Sequence, residues 1–247
     1  EILSCNTESV KLYQQRYANL SERIKYIKNP VDNGVFYPLS PEQREEGRRA
    51  LAARMGKSAE TRFLLFAGRL HPQKDPVLLV RSLFAMQQPN VHLLIAGAGE
   101  LAEIVKAEIA RLDLSQQVTL LGAVPPTELA KLQQVCSAFV LTSAYEGLPL
   151  VALEALACGT PVVTTDCGET PKLLSSGSGI VCQERTPEAI ASAISQILSR
   201  DKNYTIEACV RAAAPYGVRQ IVSDVYQNMW VRWEQRQLAS GVSTSYV

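Results

Sequence analysis

The sequence predicts an α/β protein organised on a doubly wound parallel sheet, and three observations predict it. From Thr61 onward, short apolar runs (FLLFAG, VHLLIAG, VTLLG, AFVLTS, PVVTTD and GIVC) alternate with helical patterns, as successive βα units of a parallel sheet do. The runs are apolar at consecutive positions, the mark of strands covered on both faces. With 47% hydrophobic residues in 247, the chain holds enough apolar material for one substantial core and not obviously for two complete domains.

Taken in order, ILSC is a short strand, and residues 8–20 form a helix with Val10, Leu12, Tyr13 and Tyr17 at helical spacing behind an Asn6-Thr7 cap. RIKYIK alternates as an edge strand, and Asn29-Pro30-Val31-Asp32, with Asn33-Gly34 and Pro38 beyond, is dense in turn formers. Residues 41–55 make a charged helix solvated on one face. After FLLFAG comes a helix over 76–86, then VHLLIAG, then an amphipathic helix over 100–112 with Leu101, Ile104, Val105 and Ile109 inward. VTLLG, a helix over 127–134 and AFVLTS lead into the stretch 143–166, SAYEGLPLVALEALACGTPVVTTD, a turn, helix and strand. A short helix over 171–174, the strand GIVC and a helix over 186–198 opened by Thr-Pro-Glu complete the alternation. Residues 203–214 read as a further helix ended near Pro215-Tyr216-Gly217. A longer one over 218–238 carries Trp230 and Trp233, and the closing SGVSTSYV is expected to be disordered.

Composition narrows the function classes. A formal net charge of +1 leaves no broad electrostatic footprint for nucleic acid or an anionic membrane surface, so any anion binding must be local. The six cysteines show no C-x-x-C spacing and lie mostly in apolar runs, as small core residues of a reduced, cytoplasmic protein would. No run reaches the length of a membrane span and no signal peptide is present. The first residue is Glu1, which together with the pattern below suggests a piece of a longer polypeptide.

Two stretches carry chemistry. Within 143–166, Gly147 lets the backbone approach a ligand and Pro149 suits the first helical position. That turn presents unpaired N–H groups and the positive end of a helix dipole, which attract anions, phosphates above all. Glu154 is the only charged side chain from Leu148 through Ala157. A buried polar group without a partner costs on the order of 2–7 kcal/mol, so a ligand or a backbone N–H is expected to meet it. The second stretch is Gly68-Arg69-Leu70 with Lys74 after it, at the carboxyl end of the first core strand. A glycine followed by two cations on one loop suits a diphosphate, and equally describes solvated surface charges. One unit charge pair at 4 Å is worth about 4 kcal/mol at an effective dielectric of 20, so two cations can supply much of what a metal otherwise would. Neither an Asp-x-Asp motif nor a histidine cluster occurs; His92 reads as a core-edge side chain and His71 as a packing or capping one. Gly97-Ala98-Gly99 invites a dinucleotide reading, but Ala102 stands where the third glycine belongs and no acidic residue ends the next strand.

Glu146 and Glu154, with seven residues between them, and EGLPL followed by EALACGTPVV resemble the paired-glutamate signature of retaining glycosyltransferases of family four. That resemblance implies the GT-B fold, with this chain supplying its C-terminal, Rossmann-like half. GRLHPQKDP resembles the family's Gly-Arg-Leu-x-x-x-Lys-Gly loop, whose Arg and Lys bind the donor diphosphate, with Asp75 replacing the usual Gly. By the same resemblance Gly97 lines the donor cleft and the backbone around Val124 holds the nucleotide base. Glu146 faces the donor sugar, Gly147 and Leu148 meet sugar or phosphate oxygens, and Glu154 accepts hydrogen bonds from ribose hydroxyls. Leu148-Pro149 stands where many relatives have Phe-Gly, which removes one backbone N–H. The Asn-Pro-Val-Asp element, with Phe36 four residues after Asp32, matches the point where the family's chain leaves its first domain. Residues 1–38 are then the tail of that domain, 39–215 the nucleotide-sugar-binding domain, and 216–247 a crossover helix and tail whose apolar face is left uncovered.

The expected function is hexosyl transfer, with retention, from a UDP- or GDP-linked sugar. Arg69, Lys74 and Glu146 are the catalytic candidates, and Gly68, Gly97, Val124, Gly147, Leu148 and Glu154 the further donor contacts. No metal and no cofactor beyond the donor is called for. The acceptor, a glycan or lipid, belongs to the missing domain, as does any peripheral contact with the inner face of a membrane; the chain alone is expected to transfer little or nothing. The alternatives are a nucleotide-sugar-binding module without catalysis, half of a GT-B epimerase, or a nicotinamide-dependent oxidoreductase.

Overall fold

A computed structural model describes residues 2–199 and 204–239; the closing SGVSTSYV lies outside them. Two parallel sheets are present among the described residues. The first has only β1 (Ile2–Ser4) and β2 (Ile24–Tyr26), joined through α1 (Thr7–Arg16) and a 3-10 turn over Ala18–Arg23. Asn6 caps α1 as expected, accepting from the Ser9 N–H at 2.9 Å. The expected helix stops short because the chain tightens into 3-10 geometry after Arg16.

The second sheet contains β3 (Arg62–Ala67), β4 (Val91–Ala96), β5 (Val118–Gly122), β6 (Ala138–Leu141), β7 (Val162–Thr165) and β8 (Gly179–Cys182). Its order is β5-β4-β3-β6-β7-β8, all parallel. Alternate residues of β3 enter different cores, Phe63 and Leu65 on one face, Leu64 and Phe66 on the other. Helices α3 (Pro76–Met86), α4 (Ala102–Arg111) and α8 (Pro187–Leu198) cover the second face. The first is covered by α2 (Pro41–Arg54), α5 (Pro126–Val135), α6 (Leu150–Ala157) and α9 (Ile206–Ala213). The short α7 (Thr170–Leu173) follows β7, and α10 (Val218–Ala239) closes the described chain. Within α4, Val105 and Ile109 are buried, but Ile104 is exposed, because the apolar stripe is narrower than the sequence spacing implied.

The segment Asn29-Pro30-Val31-Asp32 is pinned to the chain just before and at the start of α10. Val31 N–H donates to Tyr216 O at 2.7 Å, Val218 N–H donates to Val31 O at 3.0 Å, and Phe36 is buried in the core. Beyond Ile221, α10 leaves Val222, Tyr226, Met229, Trp230 and Trp233 exposed. No described helix is long and apolar enough to cross a membrane. Cys136, Cys158, Cys182 and Cys209 are buried and unbridged, in keeping with their apolar runs.

At the N-terminal edge of the six strands, the α2 side chain Arg44 donates to Cys158 O at 3.3 Å, to Thr160 Oγ1 at 2.8 Å and to Cys136 O. Cys136 and Cys158 are the C-caps of α5 and α6, so one guanidinium satisfies the negative ends of two helices. No carboxylate pairs with it among the described residues; the helix ends take that part. Truncation to Ala leaves buried carbonyls without a donor. We expect Arg44→Ala to cost roughly 2–4 kcal/mol and to lower the melting temperature by roughly 5–12 °C. A melt within a degree of wild type would show that water replaces the guanidinium without loss.

Candidate donor-binding cleft at the switch point

The chain leaves β3 toward β4 and β5, then crosses back to place β6 on the other side of β3. Winding direction reverses between those neighbours, and ligands of open α/β sheets lie at such a switch point, beyond the strands' carboxyl ends. The loops flanking it are those after β3, residues 68–75, and after β6, residues 142–149.

The first loop is shaped by close packing. A Cβ on Gly97, whose φ is +148°, would stand 1.8 Å from Gly68 O, and one on Gly99 would stand 2.4 Å from Leu70 O. Leu70 N–H donates to Ala98 O at 2.9 Å. Both glycines of Gly97-Ala98-Gly99 are thus explained by the approach of the β3 loop, which removes the observation behind the dinucleotide reading. A turn follows, in which Lys74 N–H donates to His71 O at 2.9 Å and His71 Nδ1 accepts from Gln73 N–H at 3.1 Å. His71 therefore caps the turn, and His92 is buried against Thr119 Oγ1 at 2.8 Å. Asp75 adopts φ +44°, ψ +61°, the left-handed conformation that glycine takes most easily, and its carboxylate caps α3 through Leu78 N–H at 3.1 Å. The replacement of glycine has kept the turn.

The second loop docks on the first. Ala144 N–H donates to Gln73 O at 2.8 Å, Gln73 Nε2 to Tyr145 O at 3.0 Å, and the buried Thr142 hydroxyl lies 2.8 Å from Asp75 O. Lys74 Nζ is ion-paired with Glu146, whose Oε1 also accepts from Ser143 Oγ at 2.6 Å. The Glu146 side chain is only 5% exposed and that of Lys74 19%, so water screens the pair weakly. Pro149 departs from expectation. Its φ of −72° suits a helix, but ψ of 113° is extended, so it is the N-cap of α6 and Leu150 the first helical residue. The N–H groups of Gly147, Leu148 and Leu150 have no acceptor among the described residues.

Glu154 lies one turn into α6, about 6 Å along the axis from Leu150. Its half-buried carboxylate has no hydrogen-bond or ion-pair partner among the described residues, and burial pushes its pKa up to about 7. A backbone cap on Glu154 is therefore not what the fold supplies. Arg69 is exposed at the end of β3 without a described partner, and Val124 is half-buried against the core beyond β5. All the site residues read from the sequence stand at the carboxyl end of the sheet or on α6. Of these, Lys74 and Glu146 are ion-paired; among the described residues no hydrogen bond or ion pair links Arg69, Val124 or Glu154 to them.

Three participants went unnoticed in the sequence. Ser143 shares the Glu146 carboxylate. Cys167, half-buried after β7, has its thiol pKa raised chiefly by burial and lies within the electrostatic reach of Glu146 and Lys74. Arg185, after β8, pairs with Asp75. The last two sit at strand ends, which only strand counting to β7 and β8 could have flagged.

A family profile described as Glycosyl transferases group 1 matches residues 48–213. The chain belongs to this family. It is 32% identical over 193 residues to a D-inositol 3-phosphate glycosyltransferase of Segniliparus rotundus, covering 75% of this chain and 41% of that protein. It spans about half the length of the curated relatives it matches. The structure of Anabaena Alr3699/HepE in complex with UDP-glucose is similar at a TM-score of 0.79 and 23% identity, over 93% of this chain and 63% of that one. The C-terminal domain of a glycosyl transferase group 1 family protein (LpcC) from Francisella tularensis is similar at a TM-score of 0.65 and 19% identity, over 76% of this chain and 99% of that one. The fold is that of GT-B glycosyltransferases, as expected.

Partial burial of a carboxylate with no described partner gives this chain a pH signature. Because the folded Glu154 pKa of about 7 exceeds its ordinary 4.5, the folded state binds the extra proton and stability falls as pH rises from 4.5 to 7. His92, held neutral by burial with a pKa of about 4, has the opposite slope between 4 and 6.5, so the comparison must be with wild type at each pH. Glu154→Gln is expected to melt with wild type at pH 4.5 and above it at pH 8, by roughly 1–3 kcal/mol. Identical melts at pH 8 would mean the carboxylate is not destabilised by its surroundings.

Proposed function

We propose that the chain is the donor-binding half of a retaining glycosyltransferase that moves a hexosyl group from a UDP- or GDP-linked sugar to an acceptor glycan or lipid. The observation that carries this reading is the contact of Lys74 with Glu146 across the switch point, beside the free N–H groups that precede α6. An arriving diphosphate offers Lys74 a stronger partner and releases Glu146 toward the hydroxyls of the donor sugar. Arg69 and the start of α6 complete the anion site, and Glu154 accepts from the ribose, which draws its pKa back down. As the sugar–phosphate bond breaks, negative charge grows on the leaving diphosphate, and the interaction with these groups grows with it. In this reading no divalent cation is obligatory and retention follows the family.

The first sheet supports an incomplete second domain: it has two strands, and Ile2 and Leu3 on it are exposed. Residues 1–38 are then the tail of that domain, 39–215 the donor domain and 216–247 the return crossing. The acceptor site, and any contact with the cytoplasmic face of a membrane, belong to the domain outside this chain, so the chain alone binds donor and transfers little.

Titration calorimetry tests the site. Wild type is expected to bind UDP or GDP, and Arg69→Ala with Lys74→Ala to weaken that binding roughly 100-fold, the loss of two charge-assisted contacts. Unchanged affinity in the folded double variant removes the phosphate assignment, and tighter binding of NAD than of either diphosphate favours an oxidoreductase.

A further inference from the structure

The loop that carries Arg69 and Lys74 ends on Asp75, a non-glycine residue in the left-handed conformation. Such a residue is retained where its side chain does something a glycine could not. Here one oxygen of Asp75 caps α3 through Leu78 N–H at 3.1 Å, and the other is ion-paired with Arg185 Nη2. Arg185 Nε donates in turn to Thr142 O at 3.3 Å, and the Thr142 hydroxyl lies 2.9 Å from Lys74 O and 2.8 Å from Asp75 O. Arg185 itself stands between β8 and the first residue of α8, next to its N-cap Thr186. The loops after β3, β6 and β8 are thereby joined into one closed bracket around the backbone of Lys74.

We propose that Arg185 is a positioning residue for the donor: through Asp75 and Thr142 it holds the β3 loop so that Lys74 sits opposite the β6 loop and the start of α6. The inference rests on the donor-site reading above. Taken as a bare surface ion pair the contact would be worth little, since both side chains are partly exposed, 39% and 28%. Two features lift it above that. The cap fixes the Asp75 carboxylate before the pair forms, and the Thr142 carbonyl fixes the guanidinium, so little further side-chain entropy is lost in bringing the charges together. The bracket acts on the loops after β3, β6 and β8; none of its bonds reaches β4 or β5, where the turns after Ala96 and Gly122 stand.

Calorimetric titration of this chain with UDP, GDP, uridine and guanosine tests the proposal on Arg185→Ala, Arg185→Lys, Asp75→Asn and the double variant. Asp75→Asn keeps a capping oxygen on a residue that tolerates left-handed backbone, and loses the charge and the second oxygen that accepts from Arg185. Diphosphate affinity is expected to fall roughly three- to tenfold in Arg185→Ala and in Asp75→Asn, and no further in the double variant, as for partners in one network. Nucleoside affinity should stay at the wild-type value, which a general loss of structure would not allow. Arg185→Lys, able to keep the Asp75 contact but not the Thr142 one, should recover part of the loss. Unchanged diphosphate affinity in Arg185→Ala overturns the proposal, and so do additive losses in the double variant, which would mean that Arg185 touches the diphosphate itself. Should wild type bind neither diphosphate, the donor-site reading fails first. Amide exchange at Ala144, whose N–H donates to Gln73 O, then judges the bracket alone: faster exchange in Arg185→Ala upholds it and unchanged exchange removes it.

Discussion

The Lys74–Glu146 ion pair is the interaction on which the rest of the cleft depends. It joins residues 72 positions apart and lies where the sheet changes its winding direction, so it forms only if every strand takes its place in the order β5-β4-β3-β6-β7-β8. Weak screening makes the pair strong, and its strength is also its chemistry. A largely buried cation held by a carboxylate has already lost most of its hydration, which lowers the cost of the anion exchange proposed above.

Around that pair the fold tolerates local costs. At the carboxyl edge Glu154 is half-buried, Asp75 is bent into left-handed backbone, and neither the Glu154 carboxylate nor the N–H groups of Gly147, Leu148 and Leu150 have a partner among the described residues. At the opposite edge Arg44 satisfies two helix ends and a hydroxyl with one guanidinium. Polar groups without a described partner, gathered at the carboxyl ends of the strands, are what a polar ligand would complete.

Much of this was legible in the sequence because it is local. Apolar runs bounded by glycine and proline placed the strands of the six-stranded sheet, and Asn6 caps α1 through a short-range hydrogen bond that needs no tertiary partner. Errors arose where packing overrides local preference. Pro149 has the φ of a helical residue but serves as cap, and Ile104 falls outside the buried stripe of α4.

By itself the sequence determined the alternation of strands and helices, the cations of the β3 loop, the paired glutamates and the family they resemble, since each is a matter of spacing along the chain. Only the tertiary structure decided that Lys74 meets Glu146, that Arg185 reaches Asp75, and that no described residue pairs with the Glu154 carboxylate. Those contacts join loops from different strands, and which strand ends become neighbours is fixed by sheet order, a property of the folded chain that no local pattern encodes.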